Sequence, residues 1–408
     1  MLRSHPRAAV STTVLFAASL ALIALLYVPT LARSFVDWSG WALAELHVAY
    51  AAGPVRRGLL GEIAFHLASL GIVTRDFFAA LFALLAILQA GLLSALAWPL
   101  AQRRPALFLA TMLSPALLLF AAYDADAHMR KEILISLGIL AHALIARRAL
   151  AGAMTIARYE ALVLWLLAPA LLVVCAIHEI QILFVPLHLA LVLLVARMSA
   201  TARAAARRVA IRPIAVLAFV AVAALAFVVA FRGTPDMAQR ICQSWSAVAP
   251  IDCTAIAALG FDFLPALAAD GANLPTPAAL ARFALAALLA LLPAAAIMLT
   301  ARADGRPAFP PTLLALAFAP PLLLFYLGWD WGRWLHLIAL SAVALLLAMP
   351  QPSRAPAATF PLAAALIWLA AIAYVASWKL RHCCELAAVD GGMFSTFARA
   401  VEIVAGGF

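Results

Sequence analysis

Long, almost uninterrupted apolar runs alternate along the chain with short polar breaks. The runs are too long and too uniformly apolar for the alternating strands of an outer-membrane barrel. They predict membrane-spanning helices, which satisfy their own backbone groups where no water is present. Candidate spans fall at 12–31, 77–98, 105–122, 133–148, 161–177, 182–197, 213–231, 278–300, 309–327, 335–349 and 358–377. Several are shorter than the roughly 20 residues a bilayer core requires, so they borrow flanking residues or sit in a thinned region. The stretches 36–50 and 58–72 mix charges and aromatics with apolar residues and read as a pair of interfacial helices. Pro115, Pro169, Pro293, Pro320 and Pro321 fall inside spans, where a missing donor and a crowded turn predict kinks or breaks.

Composition removes the soluble alternatives. The 408 residues are 67% apolar and 11% charged, against roughly 45–50% and 25% in a soluble domain. An excess this large cannot be hidden in a core, so the surrounding solvent is lipid. The expected architecture is an all-α polytopic membrane bundle of about ten or eleven spans. It forms one domain over 1–408, with an interfacial-helix loop at 34–76, a large loop at 232–277 and a tail at 378–408. The first apolar run follows Arg3, His5 and Arg7 as a signal peptide would. Its length and the lack of a small-x-small cleavage site make it a retained first helix.

The net charge of +10 would point to nucleic acid only if the basic residues shared a soluble face. They lie instead in short loops, so no nucleic-acid partner is expected and the lipid bilayer accounts for them. Threading from an inside N-terminus puts fifteen arginines in the inner segments, against only Glu160 and Asp304 among the acids. The run from Arg197 to Arg212 carries most of that bias. This predicts a bacterial inner-membrane protein with a cytoplasmic N-terminus and a periplasmic C-terminus. Cys242 and Cys253 then share an oxidising outer loop, where a disulfide is the simplest pairing and free thiols the alternative. Cys383 and Cys384 lie in the outer tail, and Cys175 reads as a packed thiol.

Inner loops contain little but arginine, small residues and proline, whereas five outer segments are chemically mixed. The first runs from Asp37 to Glu45 and His47. In the second, Gly53 to Glu62, Arg56 and Arg57 precede a helix start and would clamp a phosphate, or else snorkel to head groups. The third, Tyr123 to Glu132, holds Asp124, Asp126, Arg130 and Lys131. Its acids would share a divalent cation such as Mg or Mn, or supply a general base, or pair locally at a solvated hairpin tip. The fourth is His178-Glu179 with Gln181, either cavity-facing or a pair that stabilises the turn. The fifth runs from Tyr326 to His336 and carries Trp329, Asp330, Trp331, Arg333 and Trp334. An aromatic belt explains the tryptophans but not Asp330 and Arg333 three residues apart, on one helical face. No nucleophilic triad, glycine-rich nucleotide loop or zinc spacing emerges. His66, His142 and His188 lie in apolar runs and read as packing residues.

The layout resembles polytopic glycosyltransferases of the GT-C type and related bacterial surface-polysaccharide polymerases. An acid, Asp37, follows the first helix; two interfacial helices come next; a second acidic loop, Asp124-Ala125-Asp126, joins later spans; and a large outer loop follows. The Arg-Arg-Gly and Asp-Trp-Gly-Arg-Trp segments look like motifs of polymerase-like membrane proteins. No large soluble C-terminal domain, common in longer members, is present in this sequence. The resemblance implies glycosyl transfer from a polyprenyl-(di)phosphate-linked donor to a glycan or lipid acceptor at the outer face. Asp124, Asp126, Asp37 or Asp330 would act at the reacting centre. Arg56, Arg57, Lys131 and Arg333 would meet the departing phosphate, with Arg130, Glu62, His178 and Glu179 in the binding site. Trp329, Trp331 and Trp334 would line the sugar cleft. The rivals are a multi-pass transporter, which would place its charges nearer the midplane, and a non-catalytic envelope assembly protein.

Overall fold

The computed structural model describes residues 6–36, 41–199, 203–249, 251–260, 276–305, 308–327, 330–350, 361–382 and 392–406. The elements in order are α1 Pro6–Val36, α2 Trp41–Leu46, α3 Gly58–Ser69, α4 Thr74–Arg103, α5 Pro105–Met112, α6 Phe120–Tyr123 and α7 Ala125–His128. There follow α8 Glu132–Leu150, α9 Ile156–Leu162, α10 Ala168–Ile177, α11 Gln181–Met198, α12 Arg203–Ala230 and α13 Pro235–Ser246. The rest are α14 Pro277–Ala303, α15 Pro311–Leu322, α16 Leu324–Leu327, α17 Trp331–Ala348, α18 Pro361–Ala376 and α19 Gly392–Gly406. The protein is an all-α polytopic membrane bundle.

Among the described residues, eight helical segments are long and apolar enough to cross a bilayer, with Pro311–Tyr326 and Ala365–Ala376 as shorter apolar pieces. The expected span 105–122 is broken: α5 stops at Met112, and the chain turns through Pro115 before α6 resumes at Phe120. Proline explains a second irregularity. Pro169 lacks the donor its helix needs, and a turn of π-helix over Val163–Leu167 precedes it and loosens the ladder there. Pro320 and Pro321 end α15 at Leu322, whereas Pro293 is carried inside α14 without a break.

The helices alternate in direction and so define two ends. At one end Arg104 pairs with Asp304 at 2.7 Å, and the last turns of α4, α8 and α11 carry Arg103, Arg147, Arg148 and Arg197. We call it the arginine end. The other end carries a folded cap built on its own apolar cluster, in which Leu46, Val55, Leu60, Phe78, Phe82, Trp245 and Ile256 pack together. The Trp245 indole donates to the His47 carbonyl at 2.8 Å. A Cys242–Cys253 disulfide staples α13 to the following segment, with the Cα atoms 5.9 Å apart, and Cys175 is a buried free thiol. Both agree with the sequence. The cap is docked on the bundle by backbone as well: the Arg56 amide donates to the Phe231 carbonyl at 2.8 Å.

Candidate functional site

Under the cap lies a buried network of charges. Arg57 caps α3 in the left-handed region at φ 66°, alone in this among the described non-glycine residues. A Cβ makes that conformation costly, and the side chain's contacts offset the cost. Its Nε donates to both oxygens of Glu179 at 2.8 and 2.7 Å, and its two terminal nitrogens reach Glu179 at 2.5 Å and Glu45 at 3.0 Å. Such bidentate, charge-assisted bonds are the strong ones. The second Glu45 oxygen accepts from Arg130 at 3.2 Å. The Lys131 ammonium donates to the carbonyls of Glu45 at 3.0 Å and Arg57 at 3.4 Å. Arg56 stands 3.5 Å from Glu179. His178 lies between two acids, 3.4 Å from Glu132 and 3.7 Å from Glu179. Glu132 in turn accepts from Arg333, which also donates to Asp330.

Desolvating so many charges is affordable only because each sign finds the other. Burial alone would raise the Glu45 carboxyl; Arg57, Lys131, His178 and Arg130 outweigh it and hold the group at about 2. Burial works against Glu179 in the same way, and Arg57 and His178 hold it well below the usual carboxylate range. For His178 burial favours the neutral ring, yet Glu132 and Glu179 keep it above its ordinary 6.5. Lys131, 1% exposed, is the exception: burial wins over Glu45 and brings the ammonium down to about 8.

A second unit adjoins the network. Asp124 Oδ2 accepts from the His382 ring Nδ1 at 2.7 Å and from the His382 amide at 2.8 Å. The His382 carbonyl accepts from the Arg333 amide at 3.3 Å, so this dyad sits against the start of α17. Gly332 makes that approach possible, since any Cβ there would overlap the Arg381 carbonyl. Below the dyad and the network is a cavity of about 20 Å³, lined by Gln89, His128, Arg130, Glu132, Arg333 and His336, among others. That volume holds one water. Gln89 Nε2, both His128 ring nitrogens, Glu132 Oε2 and Arg333 Nε are buried around it without hydrogen-bond partners.

Of the residues singled out in the sequence, Arg56, Arg57, Arg130, Lys131, His178, Glu179, Asp330 and Arg333 come together in the network. Asp124 joins through His382. Asp37 and Trp329 lie outside the described residues; Asp126 belongs to α7, and its side chain lies outside them. Three residues sit elsewhere. Glu62 serves the cap locally, accepting from the Tyr50 amide at 2.7 Å and pairing with His66 at 3.1 Å. Trp331 and Trp334 are buried: one packs edge-on to Phe283, the other lies 4.9 Å under the Arg333 guanidinium. Their packing offers no open face to a sugar.

Sequence reasoning passed over Glu45 and Glu132, which lay inside the chosen segments but were not picked out. It missed His382 altogether; the only signal was a polar cluster, Lys379, Arg381 and His382, just past the last apolar run. Of the two acids expected to share a metal, Asp124 has one oxygen engaged by His382, and the Asp126 side chain lies outside the described residues. Among the described residues, no group of three His, Cys, Asp or Glu side chains is arranged so that it could hold a metal ion. No family model, curated protein or solved structure matches the chain, so the site is read from its own geometry.

Proposed function

We propose that this protein is a bacterial inner-membrane glycosyltransferase or polysaccharide polymerase. It would move a sugar from a polyprenyl-(di)phosphate carrier to a glycan or lipid acceptor on the periplasmic side, the side to which this reading assigns the cap. The observation that carries this reading is the Asp124–His382 dyad set against Arg333 and the cationic network.

In this reading His382 Nε2 takes the proton of the acceptor hydroxyl, while Asp124 holds Nδ1–H and stabilises the imidazolium. The hydroxyl oxygen bonds to the anomeric carbon as the carbon–oxygen bond to phosphate breaks, and that electron pair leaves with the phosphate. Fixed cations help most where charge develops. Arg56 and Arg333 each keep a buried Nε without a partner, donors that the carboxylates have not consumed. A groove of about 550 Å³ between α5, α14 and α18, lined mostly by apolar side chains and reaching from Arg103 and Arg104 at the arginine end to Tyr374, gives an isoprenoid tail a place to lie. The chain from Tyr374 continues directly to His382.

The test is surface glycan in intact cells carrying Asp124→Asn, His382→Gln or Arg333→Gln, each checked for membrane abundance. Loss of glycan with build-up of a lipid-linked intermediate supports transfer. Normal glycan in all three sinks it, and lost solute uptake with normal glycan points to transport.

A further inference from the structure

Away from the charge network, three titratable side chains bond to one another in the middle of the bundle. His142 of α8 and His188 of α11 meet through their Nδ1 atoms at 3.0 Å, and His142 Nε2 lies 2.9 Å from the Tyr159 hydroxyl of α9. The two imidazole planes are parallel to within 9°, and the Tyr159 ring is inclined by 25°. Both histidines are wholly buried. His188 lies seven residues along α11 from Gln181 and His142 ten along α8 from Glu132, so the pair sits roughly 10–15 Å in from the cap end. Tyr159 lies one turn inside α9 at the arginine end, where Thr155 caps the helix.

A purely structural cross-link would end satisfied, and this one does not. A neutral imidazole has one donor and one acceptor nitrogen, so the chain has two internally consistent arrangements. In one, Tyr159 donates to His142, His142 to His188, and His188 Nε2 is left a donor. In the other every bond is reversed and His188 Nε2 is left an acceptor. Either way that nitrogen is buried without a partner. Toward the cap, on the same two helices, Ser136 Oγ and both amide atoms of Gln181 are likewise buried and unpartnered. Beyond them stand Glu132 and His178. Native proteins pair such atoms, with ordered water where no protein group serves. Ionisable groups this deep are costly and tend to be kept for relays or ligands. The π-turn at Val163–Leu167, directly after α9, is a second irregularity often found at working sites.

We propose that the α8–α11 interface is a proton path. It runs from the Glu132–His178 end, through water held at Gln181, Ser136 and His188 Nε2, to His142 and Tyr159. Water delivers a proton to His188 Nε2 as His188 releases its Nδ1 proton to His142 Nδ1. His142 passes its Nε2 proton to the Tyr159 oxygen, which yields its own hydroxyl proton to water at the arginine end. Each N–H or O–H bond broken is matched by one formed, and return of the side chains to their first arrangement resets the path. This activity is separate from glycosyl transfer and is tested without any sugar.

Purified full-length protein is reconstituted into liposomes that enclose a pH-sensitive dye, and a potassium gradient with valinomycin sets the membrane potential. Wild-type vesicles are expected to change internal pH faster than protein-free vesicles. His188→Gln and Tyr159→Phe, the latter removing a single oxygen, are expected to fall to the protein-free rate. Thermal unfolding confirms that each variant is folded. Wild-type flux equal to that of protein-free vesicles overturns the proposal, as does full flux in either folded variant.

Discussion

His382 donates through its ring to Asp124 at 2.7 Å across 258 positions of sequence, and its backbone amide donates to the same oxygen at 2.8 Å. Two donors on one carboxylate oxygen fix both the tautomer and the tilt of the imidazole. A histidine held this way presents Nε2 as its working nitrogen. We expect His382→Gln and Asp124→Asn each to lower glycosyl transfer by roughly 10²–10⁴-fold, the range general base catalysis supplies. Rates in membranes normalised to protein abundance check this, and unchanged rates in both variants would remove His382 from the mechanism.

Gly332 tests the same geometry indirectly. Gly332→Ala places a methyl group on the Arg381 carbonyl and must move the segment that carries His382. Transfer should fall nearly as far as in the dyad variants, while Arg333 keeps its acids. Labelling of a His382→Cys thiol, with Cys383 and Cys384 replaced by serine, should rise with the substitution.

Acid and alkali should weaken the fold through different residues. Glu45 drops from an ordinary 4.5 to about 2 on folding, so its contribution is complete above about 4.5 and fades as pH falls toward 2. His178 rises above 6.5, so its contribution is complete below 6.5 and fades as pH climbs through its folded value. Differences in melting temperature in detergent isolate the two contributions: that between wild type and Glu45→Gln should shrink as pH falls from 4.5 toward 2, and that between wild type and His178→Gln should shrink as pH climbs above 6.5. His178→Gln should flatten the alkaline limb and leave the acid limb in place.

Breaking one buried pair should cost more than breaking both partners together. Glu132→Gln removes one of the two carboxylates that Arg333 contacts, Asp330 being the other, and we expect about 1–3 kcal/mol of destabilisation. Replacing both by neutral residues should recover part of that loss, which a double-mutant cycle on unfolding measures. Strict additivity would mean that the two charges do not act on each other.

The Cys242–Cys253 bridge closes a loop of 11 positions and should contribute about 2–3 kcal/mol to the cap. Cys242→Ser should make the segment around 240–255 susceptible to protease under non-reducing conditions. Cleavage no faster than in wild type would show the cap to be held by Trp245 and its apolar neighbours alone.

The sequence told most about what lipid imposes. Apolar run length located the spans, and Pro115 marked the break between Met112 and Phe120. It also told where polar residues concentrate, because charges beside hydrocarbon are few and conspicuous. What it could not give was pairing. Nothing local to Arg57 announces Glu179, 122 residues away, and Glu132 looked like part of a surface hairpin until Arg333 came to lie against it. Trp331 and Trp334 differ from the expected sugar-lining role for a related reason: indole suits a sugar face and a packed interior equally, and only the neighbours decide. His142 and His188 were read as inert because an apolar run hides which helices will face each other.

The long reach of these ion pairs bears on how the chain is assembled. A growing polypeptide inserts helix by helix, and Arg57 waits for Glu179, then Glu132 for Arg333, the latter 201 residues downstream. Until α17 arrives, an acid stands in the bilayer with its strongest counterion still unmade. In a product that stops before α17, Glu132 has His178 beside it but not Arg333, so the carboxylate is only partly compensated until the last long helix is in place.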